Sequence, residues 1–380
     1  MKKGFKVVMA AAASCALLEP VMAADALVDG INVGGAVRFQ YSFEDYQPAN
    51  RERVGDLDFD TFRINLDGTV GDVILSAELR YYQYMQVIHH AWVGFDFSTA
   101  WRGQLGVTKV PFGHQPFNSN SYFFSMLYYV GLEDDYDLGG VLHGKLDALD
   151  VQLGLFKNDE QGGIDGFVND RTERYSYDIL GLRSTGEGTF DAPAREIAES
   201  NTAALRMAWE GALGPIDASL GVSALYGDLV DADDGIGTQR AAAVHVGAKV
   251  DRWTLMLQST RYVHRTDVDA DRLVVGAYAF FDSIPAAATV HTANLAYALP
   301  VQWGPVTAVT VYNDHSQMVA KRGVGGRTWM NTLGMSVAAG GLVTYFDVVT
   351  ARNQPFIGGS LGDAAEDTHT RFNINVGYYF

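Results

Sequence analysis

The chain ends in the segment RFNINVGYYF, residues 371–380, in which apolar and polar side chains alternate strictly. Counting back from Phe380 in steps of two gives an apolar face, and the residues between give a polar one. These faces are Phe372, Ile374, Val376, Tyr378 and Phe380, and Arg371, Asn373, Asn375, Gly377 and Tyr379. Because the side chains of a β-strand repeat every two residues, the segment predicts an amphipathic strand.

An aromatic residue, Phe380, closes this strand, with Tyr378 two positions before it. This ending resembles the last strand of bacterial outer-membrane β-barrels, which the insertion machinery reads. In such a barrel the apolar face contacts lipid and the polar face lines water. A soluble protein that ends on an amphipathic strand is the alternative for this segment taken alone.

The same alternation recurs along the chain. Short turns such as Gly71-Asp72 and Gly340-Gly341 separate some runs, and longer polar segments separate the others. Seventeen runs have this character: 31–43, 62–70, 73–81, 87–97, 101–109, 138–146, 151–156, 203–209, 216–226, 242–250, 253–263, 273–281, 290–299, 306–312, 328–337, 342–351 and 371–380. Short periplasmic turns alternating with long extracellular loops are typical of a transmembrane antiparallel β-barrel, and we predict this all-β fold.

A single-chain bacterial barrel has an even number of strands, so one run must be misassigned. The run 290–299 lies between Pro285 and Pro300, and proline is disfavoured inside a ladder. We therefore expect about 16 strands, with 283–304 partly outside the barrel, and 18 strands as the alternative. Either number leaves a water-filled lumen.

Residues 1–23 have the pattern of a secretory signal peptide. Three lysines precede a short apolar core at 7–18, and a small-residue cleavage site ends at Ala23. Cys15 raises a lipoprotein alternative, which we discount because Ala12-Ala13-Ser14 lacks the usual preceding Leu or Val. We expect cleavage of this peptide and one exported barrel domain, 24–380, in the bacterial outer membrane.

The composition limits the function classes. Removing residues 1–23 removes three lysines and one glutamate, so the rest carries 25 basic and 44 acidic residues, a net charge of −19, and no cysteine. This acidity would repel nucleic-acid phosphates. The mean hydropathy is −0.01, and no later segment has 18 consecutive apolar residues, which excludes a helical membrane protein.

Residues 104–117 read QLGVTKVPFGHQPF. With the preceding strands, this segment resembles the phosphate-selective porin O/P family, whose members carry a G-Q-F-K-x-P-F-G-like run at the entrance of the constriction loop. The resemblance extends over 63–158 and weakly to the final strand. Its most specific matches are Lys109, Pro111, Phe112 and Gly113.

This resemblance implies a homotrimeric 16-stranded porin in contact with outer-membrane lipid and lipopolysaccharide, without a cofactor. Residues 110–136 would be the constriction loop that folds into the pore; an ordinary surface loop is the alternative. Lys109 would then belong to the pore lining.

Basic residues lie opposite the apolar faces of the predicted strands. An unpaired arginine facing lipid at the bilayer midplane costs about 2–4 kcal/mol, so these side chains should face water or be paired. We expect them to line the lumen: Arg38, Arg63, Arg80, Arg206, Lys249 and Arg371. A position near the barrel rim is the alternative for some of them.

The candidate constriction loop is acidic at Glu133, Asp134 and Asp135, with Asp137 just after it. Facing a basic wall, these carboxylates would make a transverse field that selects polar solutes. This acidic run departs from the phosphate-selective pattern. The loop aromatics either form a sugar-binding surface or anchor the loop to the wall: Tyr122, Phe123, Phe124, Tyr128 and Tyr129.

Catalytic and metal-binding motifs are weak, and we expect neither an enzyme nor a metal site. His89 and His90 are adjacent on a strand, so they should point to opposite faces. We predict a channel for passive diffusion of small hydrophilic solutes and ions, with anions such as phosphate among them. The alternatives are a sugar-preferring porin, or an outer-membrane barrel with a structural, adhesive or hydrolytic role.

Overall fold

A computed structural model describes residues 30–380 except Asp165, Asp233 and Asp269, so the signal-peptide expectation lies outside the described residues. The described residues form twenty strands: β1 (Ile31–Glu44), β2 (Asp56–Val70), β3 (Val73–Tyr81), β4 (Gln86–Asp96), β5 (Trp101–Lys109), β6 (Tyr136–Leu146), β7 (Leu149–Asp159), β8 (Asp178–Leu182), β9 (Arg195–Glu196), β10 (Ala198–Leu213), β11 (Ile216–Val230), β12 (Gly235–Val250), β13 (Trp253–Thr266), β14 (Arg272–Ala277), β15 (Phe280–Pro285), β16 (Ala287–Leu299), β17 (Ala308–Val319), β18 (Thr328–Ala339), β19 (Leu342–Arg352) and β20 (His369–Tyr379).

Sixteen of these strands form a closed antiparallel barrel, as the alternating pattern predicts, and β8, β9, β14 and β15 form a separate sheet. The barrel closes where β20 pairs with β1, with Tyr379 opposite Ala36 and Phe372 opposite Phe43. The backbone of Phe380 continues this ladder through two hydrogen bonds with Gly35, of 2.9 and 3.1 Å.

Connections at the two ends of the barrel differ in length. One end, here called the short-turn end, carries the start of β1, the end of β20 and tight turns such as Gly71-Asp72 and Gly340-Gly341. Gly71 and Gly340 each have a φ of 61°, a left-handed conformation that glycine adopts at little cost. The opposite, long-loop end carries the longer connections, including 110–135 and 160–197.

The two faces of each barrel strand have opposite character. At the end of the chain, Tyr378 and Phe380 are 50% and 41% exposed on the outer face, whereas Asn375 and Tyr379 are buried on the inner one. The outer surface elsewhere is also apolar, through residues such as Leu66, Leu105, Leu155, Val244 and Leu333. The outer belt is therefore apolar and the lumen face polar, as the sequence of the last strand predicts.

The separate sheet, here called the cap sheet, has the order β15-β14-β8-β9. It is built from two long connections: β8 and β9 lie between β7 and β10, and β14 and β15 lie between β13 and β16. The run 273–281 thus belongs to the cap sheet and is the surplus run. Parts of 283–304 do lie outside the barrel, since 283–285 belong to β15 and 300–304 follow β16. The choice of 290–299 as the misassigned run is wrong, because Pro285 and Pro300 flank β16 rather than interrupt it.

Other boundaries and elements differ in detail. The segment between the predicted runs 151–156 and 203–209 is shorter than the pattern indicates, because β7 continues to Asp159 and β10 begins at Ala198. One short helix, α1 (Pro48–Glu52), lies between β1 and β2, and a 3₁₀ turn spans Tyr128–Val130. Within the described ranges, no helix is long and apolar enough to cross a membrane.

An apolar core lies at the long-loop end, between the connection 110–135 and the cap sheet. Met126, Leu127 and Tyr128 of that connection belong to the same buried cluster as Tyr177 and Val275. The Tyr128 hydroxyl donates to the backbone oxygen of Tyr175 at 3.0 Å. This packing places the connection and the cap sheet against each other.

Candidate functional site

Residues 110–135, here called the crossing loop, leave β5 and reach the opposite barrel wall. The backbone N–H of Gly113 donates to Ser223 Oγ of β11 at 3.0 Å. The N–H of His114 donates to Gln258 Oε1 of β13 at 2.9 Å. Further along, Asn118 Nδ2 contacts Thr292 Oγ1 of β16 at 3.1 Å. Inward polar side chains of successive strands thus hold the loop inside the barrel.

Two aspartates bind the middle of the crossing loop. Asp314 of β17 accepts hydrogen bonds from Asn120 N, Asn120 Nδ2 and Ser121 N, at 2.7, 2.7 and 2.8 Å. Asp347 of β19 accepts from Tyr122 N at 3.3 Å. Asp314 is 3% exposed, so charge-assisted hydrogen bonds from the loop compensate for its burial.

Arg38 pairs with an aspartate that a β-bulge brings beside it. Arg38 lies opposite Thr61 and Phe39 lies opposite Phe59, so Asp60 is the extra residue of β2. Arg38 Nε lies 2.8 Å from Asp60 Oδ2, and the Tyr122 hydroxyl donates to the same oxygen at 2.9 Å. The crossing loop therefore meets the β1–β2 wall at this ion pair.

Arg63 and Arg80 face each other directly across β2 and β3 and share one carboxylate. Arg80 Nε donates a short hydrogen bond to Glu78 Oε1, and Arg63 Nη1 lies 3.6 Å from Glu78 Oε2. Asn65 Nδ2 donates to the same Oε2 at 2.8 Å. The guanidinium carbon of Arg80 also lies 4.5 Å from the ring centre of Tyr175, a cation–π contact.

The loop carboxylates do not face these arginines. Asp134 Oδ1 lies 2.6 Å from Lys109 Nζ, and Asp134 Oδ2 accepts from the Tyr175 hydroxyl at 2.6 Å. Glu133 is buried within the loop and accepts from Asn118 N at 2.8 Å and Ser125 N at 3.0 Å. Its burial raises the pKa of Glu133 to about 7.

The expectation of an acidic loop opposing a basic wall is therefore corrected. Glu133, Asp134 and Asp135 are only 4%, 4% and 7% exposed. Carboxylates of the wall itself, Asp60 and Glu78, pair with the wall arginines. The burial of the loop carboxylates follows from the tight packing of the crossing loop against the cap sheet.

The remaining predicted basic residues also lie on inward faces. Arg206 Nη1 contacts Asp150 Oδ1 at 2.8 Å, and its Nε donates to the backbone oxygen of Gly113 at 2.8 Å. Arg371 Nη1 contacts Glu44 Oε1 at 3.1 Å. Lys249 is half-buried near the short-turn end, opposite Asp217 in the β11–β12 ladder.

A cavity of about 320 Å³ lies between the crossing loop, the cap sheet and the β1–β3 wall. Three cations, Arg38, Arg80 and Arg371, share its lining with two acids, Asp58 and Asp60. Aromatic rings form much of the remaining surface: Tyr82, Tyr84, Tyr122, Phe124, Tyr128, Tyr175, Tyr278, Tyr345 and Phe356. The cavity can bind polar and anionic groups beside flat apolar surfaces.

The five loop aromatics divide between two environments. Phe123, Tyr128 and Tyr129 are at most 6% exposed and pack in the apolar core, which anchors the loop. Tyr122 and Phe124 are half-buried. Most of the predicted aromatic surface therefore serves packing, and the rings of other segments complete the cavity.

The prediction that His89 and His90 point to opposite faces is wrong. Glu78 lies opposite His90 and Leu79 lies opposite Ile88, so His89 is the extra residue of a bulge. The two Nδ1 atoms lie 2.8 Å apart, and Glu78 lies beside both rings. Because Arg63 and Arg80 already neutralise Glu78, we assign no metal to this group.

Sequence reasoning missed most of the partners of the arginines. Glu78 could have been found, because it stands two residues before Arg80 on the same strand face. Asp60 could not have been found. In a regular strand, its side chain would lie on the other face from that of Thr61, and only the bulge turns it towards Arg38. Tyr175 comes from the long connection between β7 and β10 and lies outside every predicted run.

No protein-family model matches the sequence, and no curated protein matches it. The chain is similar to several solved structures. An anion-selective porin from Comamonas acidovorans is 13% identical, with a TM-score of 0.56 over 92% of this chain and 99% of that one. OprB from Pseudomonas putida is 9% identical, with a TM-score of 0.57 over 93% and 94%.

The outer-membrane expressed OmpT of Vibrio cholerae is 13% identical, with a TM-score of 0.53 over 92% of this chain and 97% of that one. At sequence identities of 9–13%, the similarity concerns the fold of the chain alone. The chain therefore shares a 16-strand antiparallel barrel fold with these outer-membrane proteins.

Proposed function

We propose that this protein is an outer-membrane porin that lets small hydrophilic solutes and ions diffuse passively. The observation that carries the proposal is the contrast between the two barrel faces. The outer belt is apolar, whereas the inner face carries charged pairs such as Arg38–Asp60 and Arg206–Asp150. A 16-strand barrel with a polar interior encloses an aqueous lumen.

In this proposal residues 1–23 direct export and are removed, and the barrel domain spans residues 24–380. The short-turn end faces the periplasm, and the long-loop end faces outward. The crossing loop acts as the constriction, an assignment supported by its anchors on β11, β13, β16 and β17. By resemblance the assembly is a homotrimer surrounded by lipid and lipopolysaccharide.

The proposed selectivity is weak and set locally. The predicted pore-lining arginines pair with wall carboxylates, as in Arg80–Glu78 and Arg371–Glu44, so they do not form a continuous cationic ladder. Three cations against two acids around the cavity favour small anions, phosphate among them. A strong preference for phosphate is not part of this proposal.

A sugar-preferring channel is the second candidate. It is supported by the tyrosine-rich lining of the cavity, including Tyr82, Tyr122 and Tyr345, beside the hydrogen-bonding groups of Arg38 and Asp60. Sugars bind to such sites through ring stacking combined with polar contacts.

Single-channel recording of the purified protein in planar bilayers tests both candidates. A porin gives stepwise conductance that scales with salt concentration, and its reversal potential in a salt gradient measures ion preference. Concentration-dependent blocking by added oligosaccharide would favour the sugar channel. A folded barrel without conductance would contradict both and favour a structural, adhesive or hydrolytic role.

A further inference from the structure

Six carboxylates converge where the crossing loop, the barrel wall and the cap sheet meet. Each interacts electrostatically with others of the group, and four of them are at most 7% exposed. We call this group the carboxylate cluster: Asp135, Asp137, Asp159, Glu160, Asp178 and Glu199. Negative charges that lie close together in a buried site repel each other strongly unless cations or protons compensate for the charge.

The cations of the protein compensate only one side of the cluster. Arg174 is fully buried; its Nη1 donates a short hydrogen bond to Asp178 and lies 3.1 Å from Asp159 Oδ2 and 3.7 Å from Glu160 Oε2. Arg171 Nη2 lies 3.8 Å from Asp159. Among the described residues, two guanidinium groups thus face six carboxylates.

Asp135 and Asp137 form the uncompensated side. Within the described part of the chain, neither makes a salt bridge, and Oδ1 of each accepts no hydrogen bond. Asp137 is 2% exposed, so its unpartnered oxygen is also shielded from solvent. Buried oxygens of this kind normally have a partner, and their absence of one points to a bound cation.

The geometry of three of these residues suits one ion. Asp135, Asp137 and Asp178 each offer an oxygen, and these oxygens all lie within 4.8 Å of one another. Two oxygens on opposite sides of one Ca²⁺ are about 4.6–5.2 Å apart, since each lies about 2.3–2.6 Å from the ion. The donor set contains only oxygen, which favours a hard cation over zinc or copper.

We propose that Asp135, Asp137 and Asp178 bind one calcium ion. Calcium accepts irregular arrangements of carboxylates. Magnesium instead requires near-octahedral geometry, with ligands at about 2.0–2.1 Å, and retains several bound waters. This enclosed site is poorly suited to a hydrated magnesium ion. The ion joins three segments: Asp135 ends the crossing loop, Asp137 belongs to β6, and Asp178 begins β8. Calcium thereby ties the crossing loop and the cap sheet to the barrel wall.

The test uses the full protein, folded in detergent and freed of metal by a chelator, then titrated with CaCl₂. We expect calorimetry to give one site per chain. The thermal midpoint should rise by about 2–4 °C for each tenfold excess of Ca²⁺ over its Kd. MgCl₂ at the same concentrations should give a much smaller rise. These measurements do not depend on conductance, so they are independent of the proposed porin function.

Asp135→Asn and Asp137→Asn should each weaken calcium binding at least tenfold, because each removes a charged ligand that has no arginine partner. Asp72→Asn, in an exposed turn at the short-turn end, is the matched control and should bind as the wild type does. The proposal is overturned if Ca²⁺ leaves the thermal midpoint of the wild type unchanged while the substitution Asp137→Asn by itself raises that midpoint. In that case, protons rather than calcium neutralise the cluster. Equal responses to Mg²⁺ and Ca²⁺, or unchanged binding in both variants, would also overturn it.

Discussion

Asp60 lies 2.8 Å from Arg38 because a β-bulge turns it into the lumen beside its neighbour on β1. The side chains of Arg38 and Asp60 are 12% and 10% exposed, and the cavity borders both. The two opposite charges thus nearly cancel each other. An ion in the cavity would pass within the Debye length of roughly 8 Å at physiological salt, so it would sense either charge if the other were removed.

Breaking this pair from either side should change ion preference in opposite directions. Arg38→Ala leaves Asp60 unneutralised and should shift the reversal potential towards cations, whereas Asp60→Asn should shift it towards anions. Reversal potentials in a salt gradient across planar bilayers measure both. The matched control is the exposed surface pair Arg53–Asp56, where Arg53→Ala should change little. Shifts of the same sign from both lumen variants would refute the assignment.

The Asp314 carboxylate should control how firmly the crossing loop is held. Asp314→Ala removes three hydrogen bonds to Asn120 and Ser121. We expect a loss of about 2–5 kcal/mol in unfolding free energy and larger, noisier channel openings. Denaturant unfolding and single-channel recording measure the two effects. Asp72→Ala serves as control, and quiet wild-type currents in Asp314→Ala would contradict the anchoring role.

Glu133 should make stability depend on pH. Its pKa is about 7 in the folded protein because burial disfavours the ionised form, against about 4.3 in an unfolded chain. The folded state therefore holds a proton that the unfolded state releases, and this contribution falls as pH rises from about 4.3 to 7. The slope is about 1.4 kcal/mol per pH unit across that window.

The variant Glu133→Gln is neutral at every pH and should lack this component. From pH 4.3 to 7, the unfolding free energy of the wild type should fall relative to that of Glu133→Gln, and the two curves should run parallel above pH 7. Curves that stay parallel throughout would show that Glu133 does not titrate in this window.

The orientation of the barrel can be tested with inserted protease sites. Gly186 lies exposed in the β8–β9 connection, where an added side chain would meet no neighbour, so an insertion there should be tolerated. We expect cleavage on intact cells. The matched control is Gly214, equally open but in the short turn between β10 and β11. Its site should be cut only after the outer membrane is permeabilised, and the reverse pattern would overturn the topology.

The outer face of the last strand should be necessary for assembly. Tyr378→Asp combined with Phe380→Asp places two charges on positions that are 50% and 41% exposed in the apolar belt. We expect loss of folded, heat-modifiable protein from the outer membrane. The conservative pair Tyr378→Phe and Phe380→Tyr should restore it. Normal assembly of the aspartate variant would show that this face is not read during insertion.

The strand pattern predicted the barrel well, because inward and outward faces impose alternation on every strand that crosses it. The surplus run 273–281 could not be separated from barrel strands, since β14 and β15 are short apolar strands for a different reason: they are buried in the core at the crossing loop. Bulges at Asp60 and His89 reversed the expected faces, because one extra residue turns a side chain to the other side.

Only part of the candidate site could be predicted from the sequence. The inward cations follow from strand parity, whereas their partners depend on bulges and on long connections. The carboxylate cluster unites residues of separate segments: Asp135 ends the crossing loop, Glu160 and Asp178 lie in the connection 160–197, and Glu199 lies in β10. No local spacing relates these residues, so the sequence indicated no metal site, and only the folded cap sheet brings them together.

The pairing of β1 with β20 also determines when the structure can form. Every barrel strand has two partners once Ile31–Glu44 meets His369–Tyr379, and until then both strands present open backbone edges. The two partners are separated by nearly the whole length of the chain, so closure is an event of very high contact order and is expected to be slow. An incompletely closed barrel would expose edges able to pair with other chains. The protein therefore depends on being held apart from its own copies until its last strand has arrived.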